Sequence, residues 1–64
     1  MEYLVSESAN ADGQSFTTYR DAISEAKRLA KLQSDPVYID THDGEELTDV
    51  YYTVDGSGKV IKHK

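Results

Sequence analysis

Hydrophobic and polar positions alternate in several short stretches of the chain, a pattern typical of half-buried strands. Turn-forming residues separate these stretches, most clearly Asp43-Gly44, extended by Glu45-Glu46, and the Gly/Ser-rich segment 55–58. Short turns join antiparallel neighbours, so we expect the last three stretches to form an antiparallel meander. The predicted strands are residues 2–8, 36–42, 47–54 and 59–63.

Between Tyr19 and Gln33 the spacing changes to that of an amphipathic helix. Thr18 is the predicted N-cap, with its hydroxyl accepting the backbone N–H of Asp21, and Pro36 ends the helical region. Small alanines keep the apolar stripe thin, which lets the helix lie close to a sheet. The stripe consists of Tyr19, Ala22, Ile23, Ala26, Leu29 and Ala30.

Together these elements predict one α+β domain over residues 1–64. The expected order is β-α-β-β-β, with one helix packed on one face of a small, mostly antiparallel sheet of three or four strands. Residues 9–15, which include Asp12-Gly13, read as a loop, and Phe16 is expected to pack over the first helical turn. The first strand, the helix and the next strand permit a right-handed crossover, in which the first strand is parallel to a neighbour. Nothing in the sequence is left to cover the second face of the sheet.

Composition excludes several classes of protein. The 64 residues contain no Cys and no Trp, and 12 Asp/Glu against 7 Lys/Arg give a net charge of −5. A chain of this size buries only about 60% of its unfolded surface, which is little for both a core and a catalytic pocket. Without Cys there is neither a disulfide nor a thiolate zinc site, which favours a cytoplasmic protein. We expect no signal peptide and no membrane span.

The sequence offers only weak signals for chemistry. Ser24 and Lys27 match a Ser-x-x-Lys pattern, but they lie in mid-helix without the companion motifs. His42 reads as a half-exposed strand residue beside a turn, with a pH-sensitive contact or a metal ligand as the alternative. The carboxylates around Gly44 lack the spacing of a calcium loop. We therefore expect no catalytic residue, no cofactor and no metal site.

Charge is distributed unevenly along the chain. Residues 35–55 contain seven acidic residues and no Lys or Arg, whereas the rest of the chain has five acidic and seven basic residues. Such a segment is either a solvated hairpin, whose charges prevent edge pairing and aggregation, or a binding surface. The negative charge favours a basic partner over direct contact with nucleic acid or a membrane.

The tyrosines in the acidic segment favour its interpretation as a binding surface. If Val37 and Ile39 face the helix, a period of two places Tyr38 and Asp40 on the uncovered face. Tyrosine offers a large contact area, and carboxylates pair with Arg or Lys of a partner; packing between neighbouring strands explains the tyrosines equally well. The predicted partner-binding residues are Tyr38, Asp40, His42, Asp43, Glu45, Glu46, Asp49 and Tyr51.

The sequence thus favours a non-catalytic protein-binding module over an enzyme. Its partner would be a basic protein surface. A narrower hypothesis is a nucleic-acid mimic, an inhibitor encoded by a phage or mobile element that blocks a nucleic-acid-binding protein of the host. The alternative is a self-assembling structural or accessory subunit, a homodimer formed through an edge strand, the first or the last, or through the open sheet face.

Overall fold

The computed structural model describes residues 1–7 and 13–64. In this part of the chain one helix packs on a five-stranded sheet with the strand order β2-β1-β3-β4-β5, and all neighbouring strands are antiparallel. The α+β class is confirmed, although the sheet has one strand more than the four predicted. The elements are β1 (Glu2–Ser6), β2 (Gly13–Phe16), α1 (Tyr19–Gln33), β3 (Val37–Asp43), β4 (Glu46–Val54) and β5 (Val60–His63).

β2 is the strand that the sequence did not predict. Residues 13–15 belong to the predicted loop, yet they form this strand, and all three are exposed. The rest of the predicted loop, residues 9–12, lies outside the described residues. Gly13 allows β2 to approach β1, because a Cβ at this position would lie 2.5 Å from the carbonyl oxygen of Val5. The β1–β2 pairing reverses the chain before the helix begins.

The predicted parallel pairing of the first strand is wrong. β1 is antiparallel to both β2 and β3, with Val5 opposite Gln14 on one side and Ile39 on the other. β2 and β3 therefore run in the same direction on either side of β1, and α1 connects them across it. β1 is an interior strand and not an edge, so the edges of the sheet are β2 and β5.

α1 begins and ends where the sequence predicts. Thr18 is extended (φ −124°, ψ 145°), and its Oγ1 accepts the backbone N–H of Asp21 at 3.2 Å. Ser34 closes the helix in the left-handed region (φ 62°), and its N–H donates to the carbonyl of Ala30 at 3.1 Å. In the described part of the chain, no helix is long and apolar enough to cross a membrane.

The core lies between α1 and one face of the sheet. The buried helix residues are alanines, whose small side chains let α1 lie close to the sheet. Branched side chains of the strands fill the space between the helix and the sheet. The partly buried Phe16 packs against this core from the end of β2. The fully buried apolar residues are Val5, Ala22, Ala26, Ala30, Val37, Ile39 and Val54.

A two-residue turn, Gly44 and Glu45, joins β3 to β4. Gly44 has a φ of 68° and Glu45 has no positive φ, the pattern of a type II′ turn. The turn is shorter than predicted, because Glu46 belongs to β4 and pairs with Asp43.

A bulge in β4 shifts the register of this hairpin. Three residues, 48–50, lie opposite the buried Thr41. The Oγ1 of Thr41 donates to the carbonyl of Val50 at 2.7 Å and is hydrogen-bonded to the hydroxyl of Thr48. The two extra residues preserve the alternation of faces, but they place Tyr51, and not Asp49, opposite Asp40.

Candidate partner-binding face

One face of the sheet has no cover in the described part of the chain, and we call it the open face. α1 packs on the opposite side, where Val5 and Ile39 are buried. Residues directly opposite on neighbouring antiparallel strands share a face, so the register defines the rows of the open face. One row crosses all five strands: Ser15, Leu4, Asp40, Tyr51 and His63.

Five of the predicted binding residues lie on the open face. Asp40 is directly opposite Tyr51, and Tyr38 and His42 flank Asp40 along β3. Alternation along β4 places Asp49 on the same face as Tyr51. The period-two argument therefore predicted this grouping, although the register gives each residue its neighbours.

The other predicted residues lie at the tip of the β3–β4 hairpin, which we call the hairpin end (residues 43–46). Asp43 and Glu46 are directly opposite each other, and Glu45 occupies the turn between them. All three are exposed. By alternation Asp43 lies on the face opposite to that of Asp40. Like charges directly across a ladder repel, so the hairpin end carries unrelieved negative charge.

Most of the chain's basic residues lie away from the open face. By register no Lys or Arg of the five strands lies on the open face. Four of the seven basic residues are on α1, on the other side of the sheet: Arg20, Lys27, Arg28 and Lys31.

Among the described residues, one ion pair is formed, and it lies within α1. The guanidinium of Arg28 is 2.6 Å from the carboxylate of Glu25. The hydrogen bond from Arg28 lowers the pKa of Glu25. No carboxylate of residues 35–55 has such a partner among the residues that the structure describes.

Asp55 differs from the other acidic residues of this segment because its carboxylate holds a turn. Its Oδ1 accepts three hydrogen bonds: from the backbone N–H of Ser57 at 3.0 Å, from the hydroxyl of Ser57 at 2.6 Å and from the backbone N–H of Lys59 at 3.0 Å. These hydrogen bonds, that of the Ser57 hydroxyl above all, lower the pKa of Asp55. Asp55 is therefore committed to the β4–β5 connection.

The predicted binding residues did not include His63, although it lies in the predicted strand 59–63. His63 belongs to β5, and its ring stacks on Tyr51 with a centroid distance of 4.6 Å and an interplanar angle of 9°. Its Nε2 is 3.0 Å from the hydroxyl of Thr53. Alternation places Ile61, which is 42% exposed, on the same face. The pairing of β5 with β4 was predictable, but its register was not.

The remaining tyrosines form a separate group on the helix side. The ring of Tyr19 meets Tyr3 at 5.9 Å and Tyr52 at 5.2 Å, both edge to face. Desolvation, with smaller contributions from Tyr52 and Tyr3, raises the pKa of Tyr19. Tyr3 and Tyr52 pack against the core, whereas Tyr19 is 42% exposed. Tyr38 and Tyr51 are the tyrosines of the open face.

A cleft of about 320 Å³ lies between α1 and the β1–β2 pair, and Glu7 and Glu25 are among its lining residues. Among the residues that the structure describes, neither a His nor a hydroxyl side chain lines it. Over residues 1–7 and 13–64, no group of three or more His, Asp or Glu side chains is placed to hold a metal ion.

No protein-family model, curated protein or solved structure matches this chain. Its function must therefore be inferred from the chemistry of its own residues.

Proposed function

We propose that this chain is a non-catalytic protein-binding module that docks its open face and hairpin end on a basic surface of a partner protein. The observation that carries the proposal is the lack of internal partners for the carboxylates in this region. Asp40, Asp49 and Glu46 form no ion pair and no side-chain hydrogen bond with another described residue.

Charge and composition support a partner that is a basic protein. Burying a carboxylate costs free energy unless it is paired, so a partner that covers these groups must supply Lys or Arg. Tyr38, Tyr51 and Leu47 add apolar contact area on the same face, and aromatic residues are enriched in protein interfaces. The narrower hypothesis, an inhibitor that mimics nucleic acid, would make the partner a nucleic-acid-binding protein.

The test compares two charge reversals of equal size. The double variant Asp40→Lys/Asp49→Lys alters the open face. The control Glu7→Lys/Asp35→Lys changes the net charge equally at exposed residues outside the open face and the hairpin end. A partner is captured from nuclease-treated lysate and purified, and its affinity for all three chains is then measured.

We expect the open-face variant to weaken binding by about tenfold or more and the control to stay within about twofold of the natural sequence. Raising the salt from about 50 mM to about 500 mM should also weaken binding, because exposed charges are screened. Equal effects of the two variants, or an affinity independent of salt, would contradict the proposal.

A homodimer is the second candidate function, and the uncharged edge strand β2 favours it. The residues of β2 carry no charge or Pro to block edge pairing, whereas β5 carries Lys62. Dimerisation through the open face would instead bring Asp40 of two copies together, which is electrostatically unfavourable. Light scattering after size exclusion measures the mass, and a monomer at high concentration would remove this candidate.

A further inference from the structure

Asp40 has the most distinctive surroundings on the open face. Leu4 lies directly opposite it on β1, and Tyr51 lies directly opposite on β4. Its side chain is half-buried and makes no ion pair or side-chain hydrogen bond with a described residue.

The register places Tyr51 between His63 and Asp40 in one row of the open face. Tyr51 and His63 are direct partners, and their parallel rings are 4.6 Å apart. This separation is close to the spacing of neighbouring strands, about 4.8 Å, as expected for two stacked rings that are direct partners in the row. One face of Tyr51 covers His63, and Asp40 is the partner of Tyr51 on its other side, on β3. Tyr51 remains 37% exposed.

The bulge of β4 creates this juxtaposition. If the ladder continued from the Asp43–Glu46 pair without a shift, Asp40 would lie opposite Asp49. The bulge at residues 48–50 replaces that repulsive pair with Asp40 and Tyr51. The pairing of a carboxylate with a partly exposed tyrosine is thus a product of the register and not of the sequence spacing alone.

We infer that Asp40 and Tyr51 form a socket for an arginine side chain of the partner protein, an inference that rests on the proposed function. A guanidinium group is planar, so it can stack on the face of Tyr51 that does not cover His63 while its N–H groups donate to the carboxylate of Asp40. Leu4 lines the opposite side and contacts the methylene groups of the arginine. A lysine supplies the same charge without the planar stack, so the socket distinguishes arginine from lysine.

The probe is a pair of peptides with equal charge, tetra-arginine and tetra-lysine, titrated into the isotope-labelled chain and followed by NMR. Both peptides should bind the acidic surface. Tetra-arginine should bind about two- to fivefold more tightly, the ratio expected for an exposed cation–π contact. The shifts specific to tetra-arginine should be largest at Asp40 and Tyr51.

Three variants locate the source of this preference. Asp40→Asn, which keeps the size of the side chain, and Tyr51→Leu should each bring the arginine-to-lysine affinity ratio to about one. The control Asp43→Asn removes the same charge at the hairpin end, so it should weaken both peptides equally and leave the ratio unchanged. Spectra of the free variants show whether each remains folded.

The possible failures are distinguishable. Equal affinity of the two peptides, or a ratio unchanged by Asp40→Asn, would contradict the socket and leave the proposed basic partner intact. No shift on the open face with either peptide would contradict both proposals. Concentration-dependent shifts of Asp40 and Tyr51 without peptide would assign the arginine to a second copy of this chain and overturn a separate partner.

Discussion

Side chains alternate between the two faces of the sheet, but the polar side chains of the two faces differ in whether they have hydrogen-bond partners within the chain. Toward α1, Ile39 is fully buried, and even the polar Thr41 has hydrogen-bond partners within the hairpin. On the open face, Asp40 and Asp49 have no such partner among the described residues. A domain of 64 residues with one helix covers one face. Stability therefore depends mainly on the covered face, and the open face is free to serve recognition or solubility.

The largest expected effect compares two isoleucines on opposite faces. Ile39→Ala should lower the free energy of unfolding by about 3 kcal/mol, because Ile39 is fully buried and its loss leaves a cavity. Ile61→Ala, at a residue 42% exposed on the open face, should cost less than about 1 kcal/mol. Urea denaturation followed by circular dichroism measures both. Similar losses would mean that the open face also carries a core.

The next effect tests how β2 is attached. Gly13→Ala should destabilise the fold by about 2 kcal/mol, because the new Cβ would clash with the carbonyl oxygen of Val5. Gly56→Ala is the control, since its Cβ would lie 3.5 Å from the carbonyl of Ala30 in ordinary contact. Thermal unfolding should show almost no change for the control. An unchanged midpoint for Gly13→Ala would argue against the β1–β2 pairing.

A smaller effect of opposite sign is expected at the hairpin end. Glu46→Lys replaces a repulsive pair with an attractive one opposite Asp43, which should raise stability by about 0.5 kcal/mol. Glu45→Lys makes the same charge change in the turn, where Glu45 has no partner across the ladder. Urea midpoints at low and high salt test this, because the gain of Glu46→Lys should shrink as salt rises. An equal gain for both variants would point to net charge instead of the pair.

The smallest expected effect contrasts Asp55 with Asp40. The folded-state pKa of Asp55 is lowered from 3.8, so its ionised form stabilises the folded chain above this value. That contribution disappears as the pH falls through the lower folded-state pKa. Asp55→Asn should reduce stability at neutral pH, and its difference from the natural sequence should narrow in strong acid. Asp40→Asn should show no such loss at neutral pH, and a comparable loss would reveal an internal partner for Asp40.

The parts of the fold that sequence reasoning predicted depend on local signals. Thr18 and Pro36 mark the two ends of α1 through backbone preferences that act within a few residues. The period of two along a strand assigns Tyr38 and Asp40 to one face without knowledge of the residues on neighbouring strands. β2 has no such signal. Its residues do not alternate, and its place depends on the fit of Gly13 against the carbonyl of Val5.

The candidate site divides in the same way. The grouping of acidic residues and tyrosines can be predicted from the sequence. The pairing of Asp40 with Tyr51 cannot be predicted from the sequence, because it requires a two-residue bulge held by Thr41. Nothing in the order of residues 47–51 distinguishes that bulge from a regular strand.

The interior position of β1 sets the order in which the molecule can assemble. Glu2 and His42 are paired, so the centre of the sheet joins segments that are far apart in the chain. The meander β3–β4–β5 and the β1–β2 hairpin each close through short connections, whereas the seam between β1 and β3 must enclose the whole helix. During synthesis β1 leaves the ribosome well before its second neighbour exists. Closure of the seam between β1 and β3 is therefore the step that should limit the rate of folding.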